Sequence, residues 1–217
     1  MPQVSVRATF SLDSAAMKPL IEEVDALVAR VGTHPVWGHS HCVRVHALAE
    51  ELAAEEDLSY DAEILKLSAL LHDIGLYKAY AMRDAPNHAR RSATVAERIL
   101  RDGDFPPQAS RTVMEAIEQH PPGTPLVTMA VEAKLLKDAI ALDYLGVIGI
   151  SRVLAMVGTE DDVPDIRAAI WHAESLRRQV PDLLLFPASQ QTAQDRTAEM
   201  DDFFDSLRDS TQKLKLL

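Results

Sequence analysis

The chain has a single cysteine, Cys42, among 217 residues, so neither a disulfide framework nor a cysteine-rich zinc site can be built from it. Basic residues are scarce: 22 Lys+Arg stand against 33 Asp+Glu, for a net charge of −11. Such a field repels long phosphodiester backbones and anionic lipid surfaces, which argues against a nucleic-acid coat or a membrane-surface binder. Small anions remain admissible, because metal ions, arginines or helix N-termini can make one pocket locally positive. No apolar run reaches the ~18 residues that a membrane span needs. The N-terminal segment MPQVSVRATFSLDS has no apolar signal core, so a cytoplasmic protein is expected. Strand signals are nearly missing; only VSVRATF, residues 4–10, alternates weakly.

What is present is helical periodicity and histidine. With 47% hydrophobic residues the chain can bury one sizeable core. Caps and breakers divide it into helices over about 14–30, 39–56, 61–73, 87–102, 106–120 and 128–145, followed by amphipathic stretches near 147–157, 162–178 and 189–209. Ser14 and Asn87 are good N-caps, Gly32, Gly75, Gly103 and Gly146 close helices, and Pro121-Pro122-Gly123 ends the fifth. The expectation is an all-α, single-domain helical bundle over 1–217, with no repeat and no linker. Eight histidines occur, seven of them between His34 and His120.

Several polar residues fall on apolar faces. His41 shares a face with Val45, Leu48 and Leu52; His72 follows Leu65 and Ala69 with Asp73 beside it; His120 follows Val113, Ala116 and Ile117. Asp138 interrupts the stripe Val131, Leu135, Leu142 and Leu145. A buried carboxylate must be paired, protonated or metal-bound, so a salt bridge and a metal ion are both open for Asp138. One histidine on an apolar face is more often a hydrogen-bonded core residue than a ligand. Four helices that each turn such a group inward are harder to satisfy separately, and imidazole with carboxylate suits Mn, Fe, Co, Ni or Zn.

The order of these residues also resembles a known family. His41-Cys42-Val43-Arg44-Val45, then Ala-Leu-Leu-His72-Asp73-Ile74-Gly75, then Lys137-Asp138-Ala139-Ile140-Ala141-Leu142-Asp143-Tyr144-Leu145-Gly146 resemble the HD superfamily of metal-dependent phosphohydrolases. There a first His is followed by an HD pair and a distant Asp. The resemblance spans a core of about 34–155, with C-terminal helices over 160–217 packing on it. It implies His41, His72, Asp73 and Asp138 as metal ligands, with Asp73 able to bridge two ions. His88 and His120 match positions of second-metal ligands or substrate contacts. The chain departs at Leu76, where many members have lysine and some oxygenases histidine, and at Ile140-Ala141, where the family commonly continues its Asp-Ala with Asp-Arg.

The function these features imply is metal-dependent hydrolysis of a small phosphorylated metabolite or nucleotide by a metal-activated water. Asp73 and His72 are the catalytic candidates, and Arg44, Tyr77, Lys78 and Arg91 the substrate-binding ones, with pairing to a helix carboxylate the simpler role for Arg44. The cofactor is one or two divalent transition metals, with Mg as a further option. The HDIGL segment is also similar to cyanamide-hydratase-like members, so a hydratase or lyase is the alternative, and a di-iron oxygenase a more distant one. A small anionic substrate is the expected partner, without nucleic-acid polymer or membrane; a homodimer is an admissible assembly. His34, Trp37 and His39 are candidates for a pocket rim, and His46 and His172 for ordinary surface or core positions.

Overall fold

A computed structural model describes residues 14–80, 87–128 and 130–216, and these form helices without a strand. The candidate strand at 4–10 lies outside the described residues. In order the helices are α1 (Ser14–Val31), α2 (His39–Glu55), α3 (Ala62–Leu71), α4 (His88–Asp102), α5 (Pro107–Gln119), α6 (Val131–Leu142), α7 (Gly146–Leu154), α8 (Ile166–Gln179) and α9 (Pro187–Ser210), with short 3-10 turns at Ile74–Leu76 and Val180–Leu183. The all-α architecture anticipated from periodicity is therefore the observed one. No helix among the described residues is long and apolar enough to cross a membrane.

The caps act as their chemistry dictates. The Asp61 carboxylate accepts from the Glu63 and Ile64 amides, Asn87 from Arg90, and Asp165 from Ala168, so α3, α4 and α8 begin at side chains that satisfy their free N–H groups. The third helix is shorter than its apolar pattern suggests. It stops at Leu71, His72 forms its C-cap, and Asp73 enters the 3-10 turn. That early stop takes the His-Asp pair out of regular hydrogen bonding and leaves both side chains free to face inward.

The core has two apolar lobes that meet at α3. One gathers Leu20, Val24 and Val28 of α1 with Leu67, Leu70, Leu71, Leu100, Val113 and Ile117. The other gathers Val45, Leu52, Leu65, Leu135, Leu142, Ile150, Ile170, Met200 and Phe204 from α2, α3 and α6 to α9. Seven of the ten residues of α3 are buried, which explains its nearly continuous apolar sequence: a helix covered on all sides needs no polar stripe. Helix α6 packs against α2, α3 and α5, and α4 packs against α5 and the 74–76 turn. The N-termini of α2 and α4 and the C-termini of α3 and α5 converge between the lobes.

One glycine makes that convergence sterically possible. A Cβ on Gly75 would lie 2.7 Å from the Ser92 amide nitrogen and 2.8 Å from the Arg91 Cβ, while the Gly75 N–H donates to the Ser92 hydroxyl at 3.0 Å. Backbone thus packs directly on α4, and His88 at the start of that helix is brought in with it. Gly75→Ala is expected to cost about 1–3 kcal/mol through overpacking, read as a lower urea midpoint, and to weaken metal binding involving His88. An unchanged midpoint would mean that α4 is not held by this contact.

Candidate metal centre

Five side chains from four segments meet in the interior. His41 and His72 are 1% and 0% exposed, Asp73 is 6%, and His120 is 3%. His88 is the solvent-facing member, with its side chain 35% exposed. The two oxygens of Asp73 look in different directions. Oδ2 lies 3.2 Å from His72 Nε2 and 3.9 Å from His41 Nε2; Oδ1 lies 3.7 Å from both His88 Nε2 and His120 Nε2. The imidazoles pair across the same divide, with Nε2 to Nε2 distances of 3.2 Å for His41 and His72 and 3.2 Å for His88 and His120. The result is two half-sites of two imidazoles each, sharing one carboxylate. Two groups among the described residues, His41-His72-Asp73 and Asp73-His88-His120, place ligand atoms within 4.8 Å of one another.

Local structure decides how each ring is held. His72 and His120 are the C-caps of α3 and α5, and their Nδ1 atoms donate to carbonyls of their own last turns, Ala69 at 2.9 Å and Ile117 at 2.6 Å. Those carbonyls are available because a helix leaves its final C=O groups unpaired. His41 sits in the first turn of α2 and has no such carbonyl. Its Nδ1 donates instead to the Asp143 carboxylate at 2.6 Å. In all three rings the acceptor fixes the hydrogen on Nδ1 and turns Nε2 toward Asp73.

Charge in the cluster is unevenly held. Burial lowers His41 to about 4, against the pull of the Asp143 hydrogen bond, and lowers His120 to about 3, with the His72 charge acting in the same direction. His88 is also lowered, chiefly by burial. For His72 burial acts downward, but Asp73 beside it outweighs this and raises it well above its ordinary value. Asp73 in turn is held below the usual carboxylate range: burial pushes it up, and His72 more than reverses that. The site therefore offers three imidazoles held toward their neutral form and one, His72, drawn toward its charged form by the carboxylate beside it. Imidazole nitrogen with shared carboxylate oxygen is the donor chemistry of Mn, Fe, Co, Ni or Zn, so these residues fit a divalent transition metal.

Asp138 is elsewhere. It is fully buried, and its carboxylate accepts from the Leu185 N–H at 3.0 and 2.9 Å and from Phe186 N–H at 3.0 Å, anchoring the turn into α9. Burial raises its pKa despite those hydrogen bonds. Asp138, expected as a ligand, lies apart from the histidine cluster in this structure: at about 100° per residue, position 138 points away from the face of α6 that carries Asp143 to His41. Position 140 lies near that face, and there the chain has isoleucine, 3% exposed. Helix α6 thus supplies an orienting carboxylate to the cluster and no direct ligand.

The substrate-binding candidates also separate. Arg44 makes a two-pronged pair with Asp143, Nε to Oδ1 and Nη2 to Oδ2, each at 2.9 Å. Tyr77 is 3% exposed with its hydroxyl 3.6 Å from Cys42 Sγ, so it belongs to the core rather than to a pocket wall. Lys78 is exposed in the turn after the HD pair. Arg91 is half-buried on α4, its Nε donating to the Gly75 carbonyl at 3.2 Å. His34 stacks on Trp37 at 3.7 Å, His39 pairs with Asp25 at 2.8 Å, and His46 lies 3.3 Å from Glu50, all apart from the cluster. His172 lines a separate cleft of about 640 Å³ with Tyr144 and Arg178. Asp143 and Arg152 went unassigned in sequence; five residues past Asp138, Asp143 looks like one more acid at a helix end.

Asp138→Ala is expected to lower stability by about 1–3 kcal/mol, the cost of leaving N–H groups without their acceptor, with bound metal per chain unchanged. Loss of metal at undiminished stability would restore Asp138 as a ligand.

Comparison with known proteins matches residues 38–145 to the HD domain family. No curated protein matches the sequence. Among solved structures, a HD-superfamily hydrolase from Bacillus thuringiensis is 24% identical, with 90% of this chain and 98% of that one aligned at a TM-score of 0.64. Bacillus subtilis YpgQ in complex with ADP is 21% identical over 88% of this chain and 97% of its own, at 0.65. A Lactobacillus plantarum protein is 20% identical over 90% and 98%, at 0.69. At these identities the likeness to the solved structures is one of fold. The matched span contains every clustered residue, and over residues 38–145 this is an HD-domain protein.

Proposed function

We propose that this protein is a metal-dependent hydrolase of a small phosphorylated metabolite or nucleotide. The observation that carries this reading is the convergence of four imidazole Nε2 atoms on the two oxygens of Asp73. Bound there, a divalent transition metal supplies hydroxide from water at neutral pH and neutralises phosphate oxygens. His41, His72 and Asp73 Oδ2 would hold one ion, and His88, His120 and Asp73 Oδ1 a second.

The surrounding residues have definable tasks. Carbonyls and Asp143 keep the His41, His72 and His120 rings from rotating, so the donor geometry is set before substrate arrives. His88 is the exposed edge of the cluster, which makes the α4 side the route of approach. Arg91, one turn beyond His88, spends its Nε on Gly75, and the rest of its guanidinium is suited to an anion entering there. A chain of net charge −11 takes up an anion only where such groups reverse the field locally. The ADP held by YpgQ shows that a structure of this fold accommodates a nucleotide, in keeping with the proposed substrate class.

Full-length protein loaded with Mn, Co, Ni, Fe or Zn is expected to release phosphate or pyrophosphate from a panel of nucleotides and sugar phosphates. Asp73→Ala should lose both bound metal and activity. A well-metallated protein that cleaves nothing in the panel overturns the hydrolase reading, and turnover of nitriles would move the assignment to a hydratase.

A further inference from the structure

We infer that Asp143, clamped by Arg44 and Arg152, is the positioning residue of the His41 half of the centre and makes the two half-sites unequal in metal affinity. The inference rests on the metal-binding part of the reading above and not on its substrate.

Asp143 is the C-cap of α6 and is 1% exposed. Its Oδ2 accepts from His41 Nδ1 at 2.6 Å and Arg44 Nη2 at 2.9 Å and forms an ion pair with Arg152 Nη1 at 3.0 Å, and its Oδ1 accepts from Arg44 Nε at 2.9 Å. Arg152, 4% exposed, is fixed in turn: Nε donates to the Val36 carbonyl at 3.0 Å, Nη1 to the Asp143 carbonyl at 2.9 Å, and its guanidinium carbon lies 4.3 Å from the centre of the Tyr144 ring. The carboxylate therefore has one short bond to spend on the imidazole and two cations that keep it ionised and immobile.

Among the described residues no other ring in the cluster has a charged group behind its Nδ1. His72 and His120 donate to neutral carbonyls, and His88 has no corresponding Nδ1 acceptor among the described residues. A charged acceptor behind an imidazole raises the electron density at its far nitrogen and removes the entropy of ring rotation; losing such a partner typically costs about 10–100-fold in metal affinity. The effect is confined to the half-site that contains His41, because Asp143 touches neither His88 nor His120. The two arginines set how far it goes: they hold the carboxylate in place while withdrawing some of its charge.

The test uses metal-free full-length chain titrated with Mn²⁺ by calorimetry, in wild type and in the Asp143→Asn, Asp143→Ala, Arg44→Gln and Asp138→Ala variants. Asp143→Asn and Asp143→Ala should weaken the tightest Mn²⁺ step by about 10–100-fold and leave any second step within a factor of about two. Arg44→Gln keeps His41 and Arg152 on Asp143 and should weaken the same step by less; it supplies the answer if the Asp143 variants do not fold. Asp138→Ala, destabilised through a different contact, should bind Mn²⁺ as wild type does. Wild-type affinity in the Asp143 variants, equal weakening of both steps, or the same loss in Asp138→Ala overturns the inference, as does a wild-type chain that binds no Mn²⁺. Tight binding sensitive to Asp143 in a protein that hydrolyses no phosphate would sustain it while the hydrolase reading fell.

Discussion

The arrangement of the whole centre depends on one buried carboxylate. Asp73 lies just past the end of α3, in contact with four imidazoles, two on each oxygen. Removing a carboxylate from water costs several kcal/mol unless a positive partner is supplied. The folded chain supplies a partial one, the His72 ring raised toward its charged form, at the expense of a second buried ion. A divalent cation in either half-site would satisfy the same requirement while using the lone pairs of its two rings. The electrostatic frustration of the cluster and its capacity for metal are the same property.

Helix ends make this geometry attainable. His72 and His120 terminate α3 and α5, where unpaired carbonyls orient the rings. His41 and His88 begin α2 and α4, where no such carbonyls exist, so His41 depends on a carboxylate from the far end of α6. The close approach of the 74–76 turn to α4 at Gly75 joins the second pair of histidines to the first. Each of these histidines is placed by a rule of local helix structure, and the packing of α3 between two apolar lobes brings those local solutions together.

The two acids at the end of α6 show where sequence periodicity stops being informative. Asp138 and Asp143 are both buried acids on one element, and an apolar stripe marks only Asp138 as anomalous. In the fold Asp138 binds the amides that lead into α9, a contact across 47 residues, while Asp143 reaches His41 across 102. Nothing local distinguishes a carboxylate that caps a distant turn from one that steers a ligand. Arg44 illustrates the converse: its spacing from His41 admitted a phosphate contact or a carboxylate partner, and the structure gives it the carboxylate.

The sequence by itself determined the helices, most of their limits, and the residues with the chemistry to bind metal, because caps, breakers and 3.6-residue periodicity act over a few positions. It also singled out His41, His72, His88 and His120 from the eight histidines. Only the tertiary structure decided that Asp138 bonds to the amides leading into α9, that Tyr77 is core, and that Asp143 with two arginines stands behind His41. These depend on which way a side chain points after helices from distant parts of the chain have packed. That direction is fixed by the fit of entire faces and not by any residue's neighbours in sequence.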